Sequence, residues 1–307
     1  KIGSNDAGDT LQCATEGVAA HAAQLLGVAL HLKPHRVCEG ATGEEKVMPL
    51  AGDVEVHESA DDGRAYLLDA GRLLPPSSSG NLGGALLPLV HQFRPEFMAS
   101  LPRGEIAALS PDGFLNWGRL DCEEHHAELE AAWQMVLELA GQVARRAVEG
   151  DPVALLTPEE DGTRPLAAAF HAEGVNMRTL LVARASVDDA TGRQVLLLEC
   201  AFRAVKHMVR RRLVKRTSEV HEMMEELLKQ LQDEGFWRGE LCRVVERLFV
   251  AHVREVPEAV REQFEADKRS LADDLAQVVV DKALGRAFMA SLARGVAGVK
   301  RGEDGQW

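Results

Sequence analysis

The stretch GDVEVHESADDGRAYLLDAGRLLPP, residues 52–76, decides how this chain is read. VEVH and AYLLD are short apolar runs separated by Asp62-Gly63, a pair that tolerates the positive φ of tight turns, so the spacing predicts a β-hairpin. Pro75-Pro76 and SSSGNLGG at 77–84 then make a turn-rich connection. With KVMPL just upstream, about 46–70 is the one β region that the pattern supports.

The surrounding sequence reads as helical. Residues 9–32 predict a helix capped by Asp9 or Thr10 and stopped by Pro34. Residues 85–100 allow helix around Pro88 and Pro95, and Ser110-Pro111-Asp112 reads as a cap opening a short helix toward Trp117. Over 122–149, Ala127, Leu129, Ala132, Trp133, Val136, Leu137 and Ala140 recur at helical spacing. Residues 151–165 read as an interdomain loop. Helices are expected beyond it at about 165–186, 191–216, 218–234, 238–253, 257–267 and 270–297. The expected fold is α+β and predominantly α-helical, with one small hairpin region packed on helices. Two domains are expected, 1–150 and 151–307.

Composition agrees. Of 307 residues, 46% are hydrophobic but only 5% aromatic, so the core is aliphatic, which favours helices over a β-sandwich. The 35 Lys and Arg against 48 Asp and Glu leave a net charge of −13, so binding of a polyanion needs a local basic patch. No apolar run approaches the roughly 18 residues of a membrane helix. Cys13, Cys38, Cys122, Cys200 and Cys242 are scattered and never form a CxxC pair, which argues against a disulfide framework or structural zinc and for a reducing compartment. The absence of an initiator Met suggests a processed chain or a piece of a longer one.

Residues 52–76 also have the layout of the lower lobe of kinase-like phosphotransferases. Asp53 stands at the catalytic-loop position, a hairpin follows, and Asp69-Ala70-Gly71 stands where a DFG triplet would. Two such carboxylates could hold Mg²⁺ on ATP while one positions a hydroxyl. Glu58 replaces the Asn expected five residues after Asp53, and the preceding residues hold neither a Gly-rich phosphate loop nor a V-A-I-K lysine. A kinase-like shape is therefore the alternative reading, without the parts that orient ATP. Signatures of hydrolases, zincins, P-loop proteins and dinucleotide-binding folds are absent. Cys122-Glu123-Glu124-His125-His126 aligns only Cys122 with His126 at helical spacing, and two ligands do not make a metal site. No metal or other cofactor is expected.

One segment departs from the acidic background. VLLLECAFRAVKHMVRRRLVKR at 195–216 carries Arg203, Lys206, Arg210, Arg211, Arg212, Lys215 and Arg216 on an amphipathic helix. Such a stripe suits a phosphate backbone or an acidic partner.

Six blocks in order resemble the clustered-mitochondria (Clu) family. LGVALHLKPHRV at 26–37, with Lys33, Pro34 and His35, is similar to its L-N-L-K-P-H-K-V signature. DGRAYLLDAGRLLPP at 62–76, with Asp62, Gly63, Arg64, Asp69 and Arg72, is similar to D-G-R-Y-Y-L-L-D-x-x-R-x-F-P-P. FRPEFMASLPRG at 93–104, LSPDGF at 109–114 and DEGFWRGEL at 233–241 resemble further blocks. FHAEGVNMRTL at 170–180, with Gly174, Asn176 and Arg178, resembles L-H-x-x-G-I-N-M-R-Y-L-G. The resemblance implies the second half of a Clu domain and the helical region after it, related to a protein associated with translation initiation factor 3. It implies cytoplasmic work with RNA or a ribosome-associated protein on messages for mitochondrial proteins, and mitochondrial distribution, with no catalytic residues. The expected function is a non-enzymatic RNA- or protein-binding module, its hairpin and GVNMR blocks being parts of one scaffold. A structural subunit of a larger assembly is a further alternative.

Overall fold

The structure, a computed structural model, describes residues 1–4, 11–38, 43–77, 81–82, 85–86, 91–114, 122–157, 159, 163–215, 220–251, 253, 255–281, 285–286 and 288–290. They form two compact units, Lys1–Val136 and Leu137–Trp307. The fold is α+β and predominantly helical.

In the first unit the elements run β1 (Ile2–Ser4), β2 (Leu11–Cys13), α1 (Val18–Ala29), β3 (His35–Cys38), β4 (Glu45–Met48), β5 (Glu55–Glu58), β6 (Ala65–Leu68), β7 (Asn81–Leu82), β8 (Ala85–Leu86) and α2 (Pro95–Ala99). The helix α3 (Cys122–Val148) begins in this unit and ends in the second. The expected hairpin is present: β5 and β6 pair antiparallel with Val56 opposite Leu67 and His57 opposite Tyr66. Its connection is longer than a two-residue turn. Residues 59–64 form it, with Gly63 at φ 65 and Arg64 N–H donating to Asp62 Oδ1 at 3.1 Å.

The β content exceeds the expectation. The hairpin is half of a four-stranded antiparallel sheet ordered β2-β1-β5-β6, and β3–β4 and β7–β8 form two further ribbons. Residues 11–13, expected to be helical, alternate buried Leu11, exposed Gln12 and buried Cys13, the period of a strand. Gly3 lets β1 sit close to the chain before β5: it holds φ 117, and a Cβ there would stand 2.5 Å from the Val54 carbonyl oxygen.

The helix predicted from residue 9 starts only at Val18. Glu58, at the end of β5, accepts from the Val18 backbone N–H at 3.2 Å and so satisfies a donor at the start of α1. The residue that takes the place of the kinase Asn therefore serves as a helix cap. Ala19, Ala20, Ala23 and Gly27 form the buried face of α1, which lies against β1, β5 and β6. His31, at φ 54, turns the chain out of the helix, and Leu32 makes a parallel bridge to Leu109. Residues 111–114 are a turn rather than the start of a helix, and Trp117 lies outside the described residues.

The second unit contains a 3₁₀ turn (Pro152–Leu156), α4 (Pro165–Ala172), a second 3₁₀ turn (Met177–Thr179), α5 (Leu180–Ala185), α6 (Ala190–Lys215), α7 (Val220–Gln230), α8 (Glu234–Phe236), α9 (Cys242–Val245) and α10 (Glu258–Val280). π turns at Trp237–Leu241 and Glu246–Val250 flank α9. The helix expected over 165–186 is interrupted because Gly174 holds φ 74, and the Asn176 side chain then accepts from Arg178 N–H to start the next turn. The two helices expected at 257–267 and 270–297 are instead one, α10, within the described residues.

The aliphatic core expected from composition lies where α5, α6 and α10 meet. Every residue of α5 is buried, and Val195, Leu196, Leu197 and Leu198 of α6 are fully covered. Arg184 enters this core with its charge neutralised, 2.6 Å from Asp274 and 3.1 Å from Asp267, and Arg193 also pairs with Asp267.

Candidate functional site

Three of the sequence blocks converge in the first unit. The segment after β6 turns at Asp69, which holds φ 46, and is fastened by Gln92, which donates to the Gly71 carbonyl and accepts from Leu74 N–H. This delivers Arg72 into the interior, where 3% of its side chain is exposed. Its guanidinium donates to both Asp53 oxygens at 2.9 and 2.5 Å, to Asp112 Oδ1 at 2.6 Å and to the Pro111 carbonyl at 2.8 Å. Asp112, fully buried, also accepts from Gly52 N–H at 2.7 Å and lies 3.1 Å from His35 Nε2. His35 Nδ1 is buried without a hydrogen-bond partner, so Nε2 is the nitrogen that carries a proton toward Asp112.

The electrostatics are those of a closed ionic cluster. Burial alone would lower the Arg72 pKa, but Asp112 and Asp53 outweigh it and hold it above the usual guanidinium value. Burial would likewise raise Asp112, yet the hydrogen bond from His35 and the Arg72 charge hold its carboxyl below the usual range. Beside this cluster, Lys33 donates to Glu124 and Glu128 of α3, both at 2.7 Å. Here too the two carboxylates outweigh desolvation and raise the Lys33 pKa.

The two carboxylates of the kinase-like alternative are placed differently. Both oxygens of Asp53 are held by Arg72, whereas Asp69 is exposed on a turn. No group of three His, Cys, Asp or Glu with metal-binding geometry occurs among the described residues. Asp62, Gly63 and Arg64 are exposed at the hairpin tip, where Tyr66 Oη donates to Asp62 at 2.7 Å. In the CEEHH segment His125 is buried, the His126 ring lies tilted against Phe114 with centroids 5.2 Å apart, and the Cys122 side chain lies outside the described residues. Cys13, Cys38, Cys200 and Cys242 are free thiols; burial, reinforced by Glu246, pushes Cys242 up to about 11.

In the second unit, the stripe on α6 is narrower than the sequence suggests. Arg203 is bound to Glu199 at 2.8 Å, and Arg212 reaches Gln230 at 3.1 Å and Glu240 at 3.5 Å. Lys206, Arg210 and Arg211 are exposed and make no ion pair among the described residues. The Lys215 side chain and Arg216 lie outside the described residues. Partial burial, with Arg210, Arg203 and Arg164 close by, lowers the Lys206 pKa, so these cations repel one another.

The GVNMR block is in the second unit and the hairpin block in the first, so they do not form one compact body. Arg178 is mostly buried with Nη1 unpartnered, and desolvation pushes its pKa down to about 10. Sequence reading missed Asp112 as an ionic partner. LSPDGF looks like a helix opening, and only folding brings its carboxylate to Arg72.

No helix among the described residues is long and apolar enough to cross a membrane. No curated protein and no solved structure matches the chain. Residues 1–79, which hold Lys33, His35, Asp53 and Arg72, match the family model described as clustered mitochondria (CLU).

Proposed function

We propose that this chain is a non-enzymatic binding module that takes the phosphate backbone of RNA on the exposed basic face of α6. The observation that carries the reading is the set Lys206, Arg210 and Arg211: exposed, without an ion-pair partner among the described residues, and with partial burial and the repulsion of nearby Arg210 depressing the Lys206 pKa, in a protein of net charge −13. A polyanion would relieve that repulsion and release its own counterions. Two further features support the reading. The motif residues Lys33, His35 and Arg72 are consumed by internal ion pairs, which suits a scaffold better than a reaction centre. The match of residues 1–79 agrees with the family resemblance, which implies the second half of a Clu domain and cytoplasmic work on messages for mitochondrial proteins.

The test is fluorescence anisotropy with single-stranded RNA across a salt series. Arg210→Glu with Arg211→Glu should weaken binding at least tenfold. The slope of log K against log salt should drop by about 1.4 for two lost phosphate contacts. Binding that is absent at low salt, or unchanged in the double variant, overturns the reading in favour of an acidic protein partner or a purely structural role.

A further inference from the structure

The second unit has a cleft of about 580 Å³ between the Arg243–Ala251 stretch and the middle of α10. Its lining includes Arg243, Arg247, Lys268 and Arg269 against the carboxylates of Glu246 and Glu265. Glu265 is already engaged, its two oxygens 2.9 and 3.0 Å from Lys268 Nζ. The three arginines have no such neutralisation. Arg243 donates through Nε to the Gly239 carbonyl at 3.3 Å, and Arg247 lies 3.2 Å from His207 Nε2. Among the described residues, neither they nor Arg269 has a carboxylate within ion-pair distance. An imidazole carries no negative charge to offer Arg247, and partial burial with the neighbouring Arg247, Arg211 and Arg210 lowers the His207 pKa, a sign that cations crowd here.

Unpaired arginines are unexpected where acidic residues outnumber basic ones, 48 to 35. An arginine fork matches a phosphate in two-point fashion, and three forks with a lysine exceed the charge of the two lining carboxylates. The rest of the lining is aliphatic, from Val250, Ala251 and Leu271, with no aromatic face for a base to stack on. The volume falls within the usual range for small-molecule sites. The backbone adds an independent feature. The wall carrying Glu246, Arg247 and Val250 is a π turn, a form that recurs at functional sites. The 3₁₀ turn bearing the unpaired Arg178 packs against the same π turn, adding positive potential nearby.

We propose that this cleft binds a small polyphosphate anion through Arg243, Arg247 and Arg269, its aliphatic lining accommodating the non-phosphate part. The site adjoins the exposed residues assigned to RNA on α6, since Arg247 lies against His207 beside Arg210 and Arg211, and the test distinguishes the two. Tripolyphosphate, ATP without divalent metal, and citrate are titrated into the full chain by calorimetry at low salt. Tripolyphosphate and ATP should bind with sub-millimolar Kd and citrate at least tenfold more weakly. Arg247→Gln with Arg269→Gln, both exposed positions, should weaken the phosphates at least tenfold while the thermal midpoint of the free chain stays put. Arg210→Gln with Arg211→Gln, neighbours of the site that do not line it, should weaken polyphosphate binding clearly less than the Arg247 and Arg269 pair does. Absence of heat with either phosphate, equal affinity for citrate, or equal losses in the two double variants overturns the proposal. If the Gln variants themselves unfold, competition by tripolyphosphate against RNA on the unmodified chain decides: competition for the RNA site overturns it, and simultaneous binding upholds it.

Discussion

Arg72 Nη2 stands 2.6 Å from Asp112 Oδ1, two buried groups separated by 40 positions in the chain. The contact joins the segment after the hairpin to the turn at 111–114, and through His35 and Asp53 it reaches β3 and the approach to β5.

Breaking that contact from one side leaves charge buried and uncompensated. Arg72→Leu should therefore cost about 3–5 kcal/mol in urea unfolding of the full chain. Asp69→Asn, exposed and tolerant of its positive φ, should stay within about 0.5 kcal/mol. Equal losses at the two positions would contradict the role given to the buried cluster.

The acid dependence follows from Asp112. Its folded pKa is depressed, so the stability it supplies is complete above the unfolded value of about 3.9 and disappears as pH falls through the lower folded value. The urea midpoint should be insensitive to this group between about pH 5 and 7 and fall only in stronger acid. Asp112→Asn should flatten part of that acid limb. An unchanged limb in the variant, measured by circular dichroism, would refute the assignment.

Arg178 is the opposite case, a half-buried cation whose covered Nη1 has no hydrogen-bond partner among the described residues. Arg178→Met keeps most of the apolar stem and removes the charge, and should raise stability by about 1 kcal/mol, seen as a higher thermal midpoint. A lowered midpoint would mean that the guanidinium is satisfied in solution.

Trp237 tests the other end of the second unit. Its indole Nε1 donates to the Leu231 carbonyl at 3.0 Å, and its ring meets Phe288 edge-on at 5.3 Å. Trp237→Phe should cost about 1 kcal/mol from the lost hydrogen bond, and Trp237→Ala about 3–5 kcal/mol. Thermal unfolding followed by circular dichroism reads both, and the smaller loss must belong to the Phe variant.

The hairpin was legible because its apolar runs and Asp-Gly connection carry their own geometry, and α3 because Leu129, Ala132, Val136 and Ala140 repeat at helical spacing. The strands β1 and β2 were not, since three residues are too few to establish a period from sequence, and the pairing of β1 with β5 depends on a partner far along the chain. The basic stripe was legible as composition. Which of its members remain free was not, because Glu199, Gln230 and Glu240 come to Arg203 and Arg212 only through folding.

The amino-acid order by itself determined a mostly helical, aliphatic protein with one strong hairpin, because periodicity and turn chemistry act between near neighbours. The tertiary structure alone decided that Asp53 neutralises Arg72, that Asp112 completes that cluster, and that Arg243, Arg247 and Arg269 share a cleft. Such pairings depend on distances between remote segments, and a charge in sequence does not reveal whether folding will bring it a partner.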